Sequence, residues 1–525
     1  METPARALKS VGSSPDLLSK SSTTTTASVL SDELLIALCG PVGSPIHKVA
    51  SLFAAILTDR YGYEVKPSIR LSQLIQEHTE SVPDKPMFER INRLIELGNN
   101  LRQQYGASVL ADLAISKIAL DREQAKEKSG VQRYEPKRRV CYIIDSIKNQ
   151  EEYDALRQVY RDMLYFVGVY SPVPVREKNL LEMGMSLPEV YTLIDRDSGE
   201  EIAHGQSVRT TFPLADFFLR VDSAVDKPLT QKIERFLALI FNSEVITPSA
   251  AETAMYAAAS AAGNSACLSR QVGAALTDAA GAILALGWND VPKAGGGLYE
   301  FTPDDPIGEK DKRCMNLDGG KCFNDFEKHA IIEQIVDELR SKDIITAANK
   351  SKAVDAIKTS KIKDLIEFSR SVHAEMQAII QGSQTAGERV KEGKLFTTTY
   401  PCHSCARHII LAGIKEVFYI EPYRKSLATK LHEDAITESE AETRKVRILP
   451  FDGVSPTRYL KFFKAPVDSR KDGRTGLRVQ KNYKAAVPVS EVTLESLPAL
   501  EAIVLKTLTD KKLLKVKEPE TEKKS

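Results

Sequence analysis

Apolar and polar positions along this chain fall into short blocks, most of them bounded by turn residues. Residues 1 to 31 are Ser/Thr-rich with no period, and the Lys/Glu-rich stretch from about 510 to 525 is similar. Such compositions bury too little apolar surface to order themselves, so both ends are expected to be disordered. ELLIALC, residues 33 to 39, predicts a buried strand, GPVGS a glycine-containing turn, and IHKVASLFAAILTDRYG a helix. RRVCYIID (138 to 145), NQEEYDALRQVYRDM and LYFVGVYSP then predict strand, helix and strand. That is the β-α-β pattern of a parallel sheet, and residues 33 to about 220 are expected to be doubly wound.

Charge and proline punctuation in VDSAVDKPLT, residues 221 to 230, predicts a domain boundary. Beyond it, ITPSAAETAMYAAASAAGNSA predicts a helix with Thr247 as N-cap and Pro248 in the first turn, and VGAALTD with GAILALGWND predicts a hairpin. A polar insertion follows at about 293 to 368, with one helical segment, FEKHAIIEQIVDELRSK. SVHAEMQAIIQGS is a helix, KLFTTTY a strand, PCHSCARHIILAG a helix and EVFYIEP a strand, so this domain is also α/β. The expected organisation is a disordered segment at 1–31, a first domain at 32–225, a second at 231–480, and a C-terminal extension with a charged tail at 481–525.

Composition narrows the functional classes. The chain of 525 residues is long enough for two or three cores. With 72 Lys+Arg against 71 Asp+Glu, no global basic field exists to hold nucleic acid or an anionic membrane, which favours small polar partners. No apolar run approaches the ~20 residues of a membrane-spanning helix, and the N-terminus lacks the apolar core of a signal peptide, so a cytoplasmic protein is expected. Seven cysteines in no framework pattern point to a metal or redox site at any close pair.

Cys402 and Cys405 are that pair, directly after Pro401 at the start of a predicted helix. His373 and Glu375 open another helix two positions apart, a spacing that cannot share one helix flank but can serve a target lying off the helix end. His373, Cys402 and Cys405 supply one nitrogen and two sulfurs, the three-ligand shell of a catalytic zinc with an open fourth position. Glu375 is then a spare carboxylate able to move a proton. A lone Cys-x-x-Cys is as often a structural knuckle, but His-Ala-Glu followed by Pro-Cys-x-x-Cys matches the zinc nucleobase deaminase signature. Cys314 and Cys322, with His329 nearby, raise the prospect of a second zinc, yet their spacing suits ordinary reduced cysteines better.

Residues 247 to 465 resemble the deoxycytidylate deaminases in ACLSRQVGAAL, ILALGWNDVP, SVHAEMQAI and TTTYPCHSCARHIILAGIKEVFYIEPY. The resemblance implies a Zn2+ held by His373, Cys402 and Cys405, a proton shuttle at Glu375, and sugar or base contact at Asn289. It further implies an oligomer and hydrolysis of the C4 amino group of a cytosine nucleotide, dCMP or dCTP, to give uracil and ammonia. Arg270, Lys293, Arg407 and Arg424 lie near the motifs as phosphate candidates. An enzyme editing RNA or single-stranded DNA is the alternative, and a zinc-stabilised interaction protein a third reading. The chain shows no clear basic, aromatic-interleaved channel for a polynucleotide, and Glu375 speaks against the third.

GPVGSPIHK aligns with a phosphate-binding loop up to Ser44 and then departs, with Pro45, Ile46 and His47 where Gly, Lys and Ser/Thr belong. Asp145 ends an apolar strand, and IIDSIKNQEEYDALRQVY resembles small P-loop nucleotide kinases. The fold expected is therefore a P-loop NTPase-like parallel-sheet domain ahead of a cytidine deaminase-like α/β/α domain. Gly40, Gly43, Ser44 and Asp145 are candidate nucleotide contacts, more for sensing than for phosphoryl transfer. A kinase-like domain fused to such a deaminase resembles bacterial antiviral deaminases, and HGQSVRTTFPLADFF (204 to 218) is similar to that group. The implication is depletion of deoxycytidine nucleotides during phage infection, held in check by a nucleotide or a regulatory RNA.

Overall fold

The computed structural model describes residues 31–82, 86–130, 138–197, 208–222, 226–304, 309–421, 426–464, 470–479, 482–488 and 497–514. The N-terminal segment expected to be disordered lies outside them up to residue 30, as does the tail from 515. Two compact units divide the chain: residues 1–246 with 464–525, and residues 247–463.

In the first unit, β1 (Leu34–Cys39), β2 (Glu64–Val65), β3 (Ile69–Arg70), β4 (Val140–Asp145), β5 (Leu164–Tyr170) and β6 (Phe217–Arg220) form a parallel sheet. Its order is β6-β5-β1-β4-β2, with β3 also on β4. Every residue of β1 and β4 is buried, which is why these strands read as unbroken apolar runs rather than as alternation. The helix Asp226–Ile240 belongs to this unit, although the expected first domain, ending at 225, left all of it outside. Its Phe236 stacks on Phe217 with ring centroids 4.3 Å apart and meets Phe53 edge-on, and an aromatic anchor of that size outweighs the turn signals before it.

The C-terminal extension also adds to this core. Its helix Leu497–Asp510 packs on the helix Val109–Ser129. There the buried Arg122 guanidinium pairs with Glu33 (Nη2 to Oε2, 2.6 Å) and with Glu501.

The second unit is built on a mixed sheet of β7 (Gly273–Thr277), β8 (Ile283–Trp288), β9 (Lys394–Thr399), β10 (Glu416–Glu421), β11 (Ile436–Thr437) and β12 (Val446–Pro450), in the order β11-β12-β10-β9-β7-β8. β7 is antiparallel to both β8 and β9, and the remaining pairs are parallel. The helix before β7 starts at Ala250, not at Pro248. Its cap is Ser249, whose Oγ accepts the Glu252 N–H at 3.1 Å while the Glu252 carboxylate accepts the Ser249 N–H at 2.7 Å. Two donors are satisfied reciprocally, which Thr247 cannot match. The insertion holds the helix Phe323–Ser341 and a second one, Lys350–Thr359.

Candidate metal centre

Two helices of the second unit begin at one point. Strand β9 is followed by Pro401 and then by the helix His403–Leu411, capped by Cys402, whose sulfur accepts the Cys405 N–H at 3.4 Å. The helix Ala374–Ala386 is capped by His373, which is extended at φ −83° and ψ 154°. His373 thus lies outside the helix proper, which removes the azimuthal conflict with Glu375: the cap points past the end and the carboxylate sits in the first turn.

His373, Cys402 and Cys405 bring their donor atoms within 4.8 Å of one another. The imidazole Nδ1 is 3.2 Å from the Cys405 sulfur and 3.3 Å from that of Cys402. Ligands around a tetrahedral zinc, with Zn–N near 2.0 Å and Zn–S near 2.3 Å, stand roughly 3.5 Å apart, so this donor set fits the ion. Among the described residues it is the one group of three or more such donors that could hold a metal. Cys314 and Cys322 are free thiols, the first buried and the second half-buried.

The electrostatics are those of a buried, coupled cluster. The hydrogen bond from Cys405, and then the His373 ring, hold Cys402 down to about 4 against the cost of burial. Its bond to Cys402, then burial and the nearby Glu375, push Cys405 well above the usual thiol range. Burial disfavours a charged His373, but the Cys402 sulfur and the Glu375 charge outweigh it and raise the ring to about 9. Glu375 is 4% exposed, and burial raises its carboxyl despite the neighbouring His373. A buried carboxyl with raised affinity for protons, beside three metal-type donors, is suited to taking a proton and returning it.

The remaining expected contacts sit differently. Asn289 uses both ends of its amide on backbone: Oδ1 accepts the Val272 N–H at 2.7 Å and Nδ2 donates to the Arg270 carbonyl at 2.8 Å. It organises the loop before β7. Arg270 is bonded to Glu421 and, at 3.2 Å, to Thr399, at the ends of β10 and β9. Arg407 donates to Ser404, and Arg424 lies outside the described residues. Gln377 is a contact that the motifs do not single out: its Oε1 accepts the Trp288 N–H at 2.6 Å, tying the His373 helix to β8. Its position four residues after His373 was the available signal.

In the first unit, Gly40, Gly43 and Ser44 lie in the loop after β1, and Asp145 ends the neighbouring β4. Gly43 has φ +84°, and the carbonyls of Gly40, Val42 and Gly43 accept from Lys148 (2.7 Å), Arg176 (2.7 Å) and Asn179 (2.9 Å). The Asp145 carboxylate is held by the His47 ring and by Ser146 Oγ at 2.8 Å.

A buried glutamate lies beside a His-Cys-Cys donor set at two helix N-termini over a mixed sheet, the residue types that zinc nucleobase deaminases bring together. Residues 248–421 match the family described as the cytidine and deoxycytidylate deaminase zinc-binding region, and they lie within the second unit. ComE operon protein 2 of Bacillus subtilis (strain 168) is 41% identical over 76 residues, 14% of this chain and 40% of that protein, so the match spans less than half of that relative. A deoxycytidylate deaminase of Enterobacteria phage T4 is 26% identical over 163 residues, 30% of this chain and 72% of that protein. The N-terminal part is similar to a UPF0200 protein of Saccharolobus islandicus (strain Y.G.57.14 / Yellowstone #1), 27% identical over 175 residues, 33% of this chain and 78% of that protein.

Proposed function

We propose that the chain is a zinc-dependent hydrolase that removes the C4 amino group of a free deoxycytidine nucleotide, dCMP or dCTP. The observation that carries this is the buried Glu375 carboxyl against the His373, Cys402 and Cys405 donors. Bound by these three residues, zinc supplies the Lewis acidity that makes water a nucleophile near neutral pH. Glu375 would take one proton of that water and give it to the ring nitrogen as the hydroxide adds to C4; it would then take the proton of the new C4 hydroxyl and give it to the amino group, so that the C4–N bond breaks, a C4 carbonyl forms and ammonia leaves. Its raised proton affinity suits it to hold the proton between those events. Incubating the full-length protein with dCMP, dCTP, CTP and cytosine-containing single-stranded DNA, with ammonia and uracil products measured, tests this. Product from the polynucleotide alone would favour an editing enzyme and overturn the free-nucleotide reading.

The first unit, in this proposal, binds a nucleotide that adjusts deamination and does not transfer phosphate, as a defence enzyme that drains a DNA precursor would need. Gly43 keeps the turn at a helix N-terminus suited to an anion. His47 occupies the Asp145 carboxylate, and Ile46 stands where a lysine would meet phosphate charge. Transfer from labelled ATP to a nucleoside monophosphate at about 1 per second or faster would overturn this part.

A further inference from the structure

The insertion carries a buried charge cluster that the chemistry above leaves unused. Arg313 is 5% exposed. Its guanidinium grips Asp311 through Nε, 3.0 Å from Oδ1 and 2.9 Å from Oδ2, and through Nη2, 2.6 Å from Oδ2. Its Nη1 lies 3.6 Å from Asp290 Oδ2. Asp290 is 1% exposed and follows Asn289 at the end of β8.

Asp290 fastens three segments. Its Oδ2 accepts the Ala266 N–H at 2.9 Å and its Oδ1 the Val291 N–H at 2.8 Å. Its carbonyl accepts the Val372 N–H at 3.0 Å in an antiparallel bridge, one residue before His373. Cys267, next to Ala266, is within electrostatic reach of His373. The insertion grips that approach a second time, because Arg370 Nη1 donates to the Lys312 carbonyl at 3.3 Å. The guanidinium fork is taken by Asp311, which fixes the direction from which Nη1 faces the buried Asp290 carboxylate across 3.6 Å and offsets part of its charge.

We propose that Arg313 is a positioning residue: acting through Asp290, it fixes the backbone that delivers His373 and the loop beginning at Ala266, so the insertion holds the metal centre in register. This rests on the reading of His373, Cys402 and Cys405 as zinc ligands, and it gives the insertion a task that its polar composition conceals. A rigid support behind a ligand commonly changes metal retention more than it changes the fold.

The test uses the full-length protein loaded with zinc and measures zinc release to excess chelator, with no nucleotide present. Arg313→Lys keeps the charge and loses the fork; Asp290→Asn loses the charge and keeps one of the two acceptor oxygens. Each is expected to speed release about tenfold, and the double variant no more than either, because both break the same link. Cobalt-loaded samples should show the same order in their absorption bands. Ile332→Ala, a buried change in the insertion helix away from these contacts, gives a control for lost stability. Unchanged release in both single variants, release in the double variant equal to the product of the two effects, or equal acceleration by Ile332→Ala at matched melting temperature would each overturn the proposal. The expected rates in a chain that deaminates no cytosine nucleotide would support Arg313 and sink the activity; a chain that takes up no zinc would sink both.

Discussion

A Cβ placed on Gly287 would stand 2.1 Å from the carbonyl oxygen of Ala374, the residue between His373 and Glu375. Strand β8 and the helix that carries both functional side chains are therefore in backbone contact, and the Gln377 bond to Trp288 closes the same seam. Gly287→Ala must push the helix end away. It is expected to cost about 1–3 kcal/mol, as overpacking does, and to lower zinc content, which melting curves and metal analysis of the purified variant would report.

Glu375 and Cys402 should separate metal binding from turnover. Glu375→Ala is expected to keep its zinc and lose about 10²–10⁴ in rate, whereas Cys402→Ala loses the metal as well. Metal analysis with steady-state rates decides it. A zinc-free Glu375→Ala protein would make the carboxylate a ligand or a fold determinant.

Zinc uptake should release protons in a number set by the free site. With the ring at about 9, His373 is protonated at pH 7 and must give up one proton. Cys405, raised well above the usual thiol range, gives up a second, and Cys402, held at about 4, is already a thiolate. About two protons per zinc are expected at pH 7, and the apparent affinity should rise about a hundredfold per pH unit between roughly pH 6 and 8. Calorimetry in buffers of different ionisation enthalpy measures the number directly.

Glu501 gives a pH signature in the first unit. Burial raises its carboxyl above the ordinary glutamate range, although Arg122 works in the opposite direction. Below the unfolded value the group is protonated in both states and its contribution is fully present. As pH rises through the raised folded value, the unfolded chain ionises more readily and stability is lost. Glu501→Gln leaves Arg122 paired with Glu33, so the variant should match the wild type near pH 4 and gain on it toward pH 8. Denaturant midpoints across that range check the sign.

Much of both units could be read directly from the chain. The unbroken apolar runs of β1, β4 and β5, and the hairpin of β7 and β8, are local patterns that neighbouring residues dictate. The candidate donors His373, Cys402 and Cys405 were legible because His-x-Glu and Cys-x-x-Cys fall at helix starts, and a helix start is itself a local signal. The capping box at Ser249 is equally local, although Pro248 gives a competing start signal one residue earlier.

What the tertiary structure alone decided is how distant segments constrain one another. No periodicity announces that Arg313 reaches back to Asp290, that Asn289 spends its amide on the 270–272 backbone, or that the helix Leu497–Asp510 returns to Arg122. These pairings join residues separated by long loops or whole domains, and a buried charge finds its partner by where the backbone has already brought it. Sequence by itself determined the candidate donor set and the elements that present it. Packing determined that His373 stands outside its helix as a cap, that Gly287 lies against Ala374, and that a carboxylate from the hairpin and an arginine from the insertion meet behind the site. Local chemistry can be written in a few adjacent residues, whereas the burial that gives it direction is a property of the closed fold.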